Sequence, residues 1–77
     1  MSYWNHRVMR RTVDGETFDA VHEVYYNDDG LVVGWTNTAV SPMFTHETDS
    51  GDIRSEIERF LQACDLPVLD WETGKEI

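Results

Sequence analysis

Phe18-Asp19-Ala20-Val21-His22-Glu23-Val24-Tyr25-Tyr26 decides the fold. Phe18, Ala20, His22, Val24 and Tyr26 alternate with Asp19, Val21, Glu23 and Tyr25, the two-residue period of a strand with one buried face. Asp14-Gly15 stands just before it and is a strong signal for a tight hairpin turn. Upstream of that turn, Tyr3 to Val13 mixes aromatic, β-branched and basic residues without helical period, so it reads as the hairpin's first strand. Downstream, Asn27-Asp28-Asp29-Gly30 supplies turn formers, with Gly30 able to take positive φ, and Leu31 to Trp35 reads as a third short strand. Two consecutive hairpins make a three-stranded antiparallel meander.

Thr36 to Gly51 changes to Thr, Ser, Asn, Pro and Gly, and reads as the longest and most mobile connection, anchored by Val40, Met43 and Phe44. From Asp52 to Cys64, the residues Ile53, Ile57, Phe60, Leu61 and Cys64 recur with helical spacing, which predicts one amphipathic helix packing by that stripe. Thr48, Asp49 and Ser50 offer N-cap oxygens, and Asp52 and Glu56 suit the positive end of the helix dipole. Arg54 and Glu58 are spaced for an i, i+4 surface pair. Pro67 closes the helix, Val68, Leu69 and Trp71 form a short extended segment able to pair with the sheet edge, and the residues from Glu72 read as a frayed end. The expected class is α+β: one domain, 1–77, in which a three-stranded antiparallel meander packs on one C-terminal amphipathic helix, followed by a short terminal strand.

Charge bounds the function. The 77 residues hold 15 carboxylates against 6 Lys and Arg, a formal net charge of -9. Arg7, Arg10 and Arg11 are three of those six cations, so the chain beyond Val13 is more acidic still. Such a chain repels nucleic acid and anionic membrane and is attracted to basic surfaces, with a salt-sensitive association rate. An apolar content of 40% with nine aromatics is too rich for a disordered acidic tail. The single cysteine, Cys64, rules out an internal disulfide, and no stretch suits a signal peptide or a membrane span, so the expected place is the bacterial cytoplasm.

Several chemical readings fail on spacing. His6, His22 and His46 match no close-set ligand pair, although His6 and His22 fall on neighbouring strands, so neither a metal nor another cofactor is expected. Cys64 lies on the apolar stripe and reads as a buried structural thiol without a base to activate it. Setting Gly30 in the register of a calcium loop would put Tyr25 at its first ligand position and Thr36 at its last, neither suited. Pairs such as Asp28 with Asp29, or Asp49 with Asp52, serve acid/base chemistry only inside a pocket, and a chain this small seldom builds one; no catalytic residue and no enzyme is expected. Tyr3, Trp4, Tyr25, Tyr26 and Trp35 with the three N-terminal arginines could form a stacking platform for single strands, but the overall charge opposes direct nucleic-acid binding.

The acids remain. Asp28 and Asp29 crown a hairpin tip, and Glu47, Asp49, Asp52, Glu56 and Glu58 cluster around the helix start. They are either a solvated face that keeps a small domain soluble or a copy of phosphate spacing that occupies the Lys/Arg groove of a basic protein. On the second reading Asp28, Asp29, Glu47, Asp49, Asp52 and Glu56 make the partner contact.

Tyr3-Trp4-Asn5, Arg7-Val8, His22-Glu23-Val24-Tyr25-Tyr26, Asp28-Asp29-Gly30, Gly34-Trp35-Thr36 and Leu66-Pro67-Val68-Leu69-Asp70 together resemble a group of small uncharacterised bacterial proteins, a likeness that spans most of the chain and brings no activity with it. In kind, as a very small and strongly acidic single domain, the chain is similar to anti-CRISPR inhibitors of phages and mobile elements, a class that includes DNA mimics. That resemblance implies a stoichiometric inhibitor, a monomer or weak dimer, whose acidic surface blocks target-DNA binding by a CRISPR effector complex of type I through its basic subunit. The reading from a different class is a small bacterial interaction or regulatory module whose acids only solvate it and which completes a sheet or dimerises through a strand edge.

Overall fold

The computed structural model describes residues 3–41 and 53–77. Strand β1 (Tyr3–Val13) and strand β2 (Glu16–Tyr26) form one long hairpin in unbroken register from Tyr3↔Tyr26 to Val13↔Glu16. Asp14 and Gly15 turn it with φ of 51° and 82°, the left-handed pair a two-residue hairpin requires. Strand β3 (Val32–Trp35) pairs antiparallel with β2 through an irregularity at Tyr25/Tyr26. Its turn is fastened by the Asn27 side chain, whose Oδ1 accepts from the amides of Asp29 and Leu31, while Gly30 takes a φ of 77°. Beyond Trp35 the backbone keeps to β2: the amides of Thr36 and Val40 donate to the carbonyls of Glu23 and Val21. The Val40 backbone, rather than its side chain, is what ties this stretch to β2, while Met43 and Phe44 lie outside the described residues.

Helix α1 (Ile53–Cys64) ends before Pro67, and strand β4 (Leu69–Asp70) adds in parallel to β1, giving the sheet order β3-β2-β1-β4. The fold is α+β, as the patterning predicts: a curled, mainly antiparallel sheet with one C-terminal helix.

Strand alternation divides the side chains between two faces. On one face Met9, Val24, Tyr26 and Leu69 form the buried cluster, with Val32, Trp35 and Trp71 packed against it. On the other, the His6 ring meets Phe60 of α1 edge-on at 5.4 Å and Trp4 at 5.5 Å. The helix thus covers one face and the chain after Pro67 covers the other.

Two expectations are corrected here. The last residues are ordered: Glu76 bridges to Leu69, the Asp70 amide donates to the Lys75 carbonyl, the Ile77 amide donates to the Val68 carbonyl, and Gly74 is buried. Gly74 makes that return possible, because its φ of 72° reverses the chain against the Trp35 ring. The helix also uses a different face from the one its pattern suggests. Glu56, Phe60 and Ala63 turn toward the sheet, with Ala63 buried, whereas Ile53, Ile57, Leu61 and Cys64 are exposed. Cys64 is therefore not a buried thiol.

Candidate functional site

Each of the three N-terminal arginines has a partner within the chain, although only Arg7 is buried. Arg7 is buried; it donates to Tyr26 Oη at 3.0 Å and to the Pro67 carbonyl at 2.6 Å, so its charge ties β1 to the segment entering β4. Arg10 grips Asp19 across the hairpin with two donors, at 2.8 and 3.0 Å. Those hydrogen bonds, aided by the attraction of opposite charges, hold the Asp19 carboxyl below its ordinary range and raise Arg10. Arg11 lies over the Trp71 ring at 3.7 Å, a cation–π contact, and donates to the Asn37 carbonyl. No strip of three outward-pointing cations exists to meet phosphates.

The stacking platform dissolves for a similar reason. Tyr26 and Trp35 belong to the core, and Tyr3 stacks on Tyr26 with ring centroids 4.7 Å apart. Trp4 and Tyr25, paired across β1 and β2, remain exposed.

Asp28 and Asp29 stand exposed at the tip between β2 and β3, where the Asn27 turn presents them side by side. Glu56 is placed otherwise. Its side chain is only 17% exposed, with Oε1 3.8 Å from His6 Nε2 and Oε2 3.4 Å from Arg59 Nη1. It is an internal acid at the helix–sheet seam, and the helix acid that faces outward is Glu58. The Arg54–Glu58 pair is not formed among the described residues; Glu56 with Arg59 takes its place. Glu47, Asp49 and Asp52, like the proposed cap residues Thr48 and Ser50, lie outside the described residues.

The histidines do not converge. His6 pairs with Glu23 and His22 with Arg7 in the β1–β2 register, so the two rings occupy opposite faces of the sheet. His22 is buried, its Nδ1–H donating to the Thr36 carbonyl at 3.0 Å. His46 lies outside the described residues. Among the described residues no three His, Cys, Asp or Glu side chains come together as metal ligands.

Two concave surfaces flank the helix. A cleft of about 370 Å³ runs between β1 and α1, with Trp4, His6, Arg59, Gln62 and Leu66 on its walls. On the other flank a shallow groove is lined by Ile53, Ile57 and Leu61 with Arg54 and Glu58 at its rim. The sequence reading missed this outward stripe because it assigned the apolar residues to the packing face. The signal it passed over is Ala63, a small residue in step with Phe60 and Glu56, which lets the helix approach the sheet closely.

Comparison with protein-family models, curated proteins and solved structures finds no match to this chain. No helix among the described residues is long and apolar enough to cross a membrane.

Proposed function

We propose that this chain is a stoichiometric protein inhibitor that docks its acidic exterior on a basic, nucleic-acid-handling protein in the bacterial cytoplasm. The first target to test is a CRISPR effector complex of type I, whose DNA-binding groove a DNA mimic would occupy. The observation that supports this reading is the engagement of Arg7, Arg10 and Arg11 within the fold. Arg7 is buried and Arg10 and Arg11 are held by Asp19, Trp71 and Asn37, so the exposed charge of this net-acidic chain is mostly carboxylate, and an acidic exterior steers the molecule toward Lys/Arg-rich surfaces. Asp28 and Asp29 at the hairpin tip are the described acids best placed to touch a partner; Glu56, turned to the seam, serves the fold. The chain has no catalytic role in this reading.

The experiment is target-DNA binding by purified type I and type II effector complexes, with and without the protein, at two salt concentrations. Loss of DNA binding by one complex, relieved by salt and by Asp28→Lys with Asp29→Lys, is the expected result. If no complex responds, the reading falls.

A second reading, a small interaction or regulatory module, is favoured by the exposure of Ile53, Ile57 and Leu61 on α1. A domain this small gains little by leaving three branched aliphatic side chains in water unless something covers them.

A further inference from the structure

We infer that the outward stripe of α1 is a self-association surface on which a second copy of the chain docks its own α1, antiparallel. This does not rest on the acidic-docking reading. Ile53, Ile57 and Leu61 are 53%, 44% and 61% exposed although they follow each other at four-residue intervals, one above the next on a single helix face. The opposite edge of the arc, Glu56, Phe60 and Ala63, is already seated on the sheet. The helix is therefore apolar over a wider arc than its own domain uses.

Charge at the rim selects the occupant. Arg54 and Glu58 border the stripe on the flank away from the sheet. A two-fold axis through Ile57 sets two such helices antiparallel, puts Ile53 of each copy beside Leu61 of the other, and brings the same flank of both helices together. Position 54 is then level with position 60 of the second copy. Glu58 of that copy lies about 3 Å away along the axis at 1.5 Å per residue, within reach of the Arg54 guanidinium. The contact occurs twice, reciprocally. A parallel pairing would instead set this flank against the Glu56–Phe60 edge, which the chain's own sheet occupies. The self-complementary order Arg54 then Glu58, on the flank of α1 turned away from the sheet, fits a second copy of this chain.

The interface is small. One 12-residue helix is about 18 Å long, so the contact falls at the low end of interface sizes and the dimer is a weak one.

Sedimentation equilibrium of the full chain from about 5 µM to about 1 mM, the span over which a weak dimer forms, tests it. The wild-type mass should rise from monomer to dimer, while Ile57→Asp and Leu61→Lys, both at exposed positions, should stay monomeric with unchanged far-UV circular dichroism. Arg54→Glu should weaken the dimer about tenfold by setting like charges against each other, and Arg54→Glu combined with Glu58→Arg should restore it. A wild type that remains monomeric throughout, stripe variants that associate as the wild type does, or a double swap that fails to restore association would each overturn the inference.

Discussion

Gly74 lies flat against the indole of Trp35, so that a Cβ there would fall 2.8 Å from Trp35 Cη2 and nearer still to Cζ3. The contact joins the end of the chain to the outermost strand, across the buried cluster of Met9, Val24 and Leu69. Two constraints meet at this glycine: a φ of 72° that side chains rarely adopt, and no room above the ring.

Gly74→Ala should therefore cost about 2–4 kcal/mol, the left-handed backbone and the overpacking adding together. Gly15→Ala is the comparison, since Gly15 shares the positive φ but has nothing within 4 Å of a Cβ. It should lose only about 1 kcal/mol. Urea denaturation of both variants checks the difference; equal losses would mean that the Trp35 contact carries no weight.

Arg7 offers a second test of how the C-terminal segment is held. Arg7→Ala removes the bonds to Tyr26 Oη and the Pro67 carbonyl and leaves a hole in the sheet face, and should cost about 3 kcal/mol. Arg7→Met keeps most of the stem volume and spares the desolvation of a guanidinium, so it should be milder by about 1–2 kcal/mol. Thermal unfolding distinguishes them. A methionine variant as damaged as the alanine one would place the stabilisation in the hydrogen bonds and not in packing.

The hairpin was legible in the sequence because its signals are local: Asp14-Gly15 sets the turn, and the alternation from Phe18 to Tyr26 sets the faces. The hidden parts depend on contacts between residues far apart. Arg7 reads as a surface cation until Pro67, sixty positions on, supplies an acceptor. Glu72-Thr73-Gly74-Lys75 has the composition of a loose tail, and only Trp35 beneath Gly74 makes it a folded turn. On α1 the apolar arc is broad enough for either edge to pack, and the docking of His6 beside Phe60 chose the edge that holds Glu56. Of the proposed docking acids, Asp28 and Asp29 are exposed, as a turn tip is whatever surrounds it. Glu56 sits at the helix–sheet seam instead, because helical periodicity cannot tell which edge of a wide stripe meets the sheet.

The Arg10–Asp19 bridge predicts a pH dependence of definite sign. Asp19 titrates below its ordinary value in the folded chain because of the Arg10 hydrogen bonds. Its contribution to stability is thus present above the unfolded-state value of Asp and is lost as pH falls through the lower, folded value. Carbon-detected NMR titration should show Asp19 as a low-titrating carboxylate that returns toward the ordinary range in Arg10→Gln. Both groups are solvent-exposed, so raised salt should narrow the shift.

The helix orientation can be tested without a partner by comparing its two edges in dilute protein. Ala63 is 1% exposed on the sheet-facing side of α1, so Ala63→Leu forces extra methylenes between helix and sheet and should destabilise by about 1–3 kcal/mol. Ile57→Ser, on the outward stripe, should change stability by no more than about 0.5 kcal/mol. Chemical denaturation at about 1 µM, below the concentrations at which the proposed dimer would form, keeps the two effects apart. If Ile57→Ser proved the more damaging, the helix would be packing by the stripe that its periodicity first suggests. The groove between Ile53 and Leu61 would then be interior, and the dimer argued above would lose its surface.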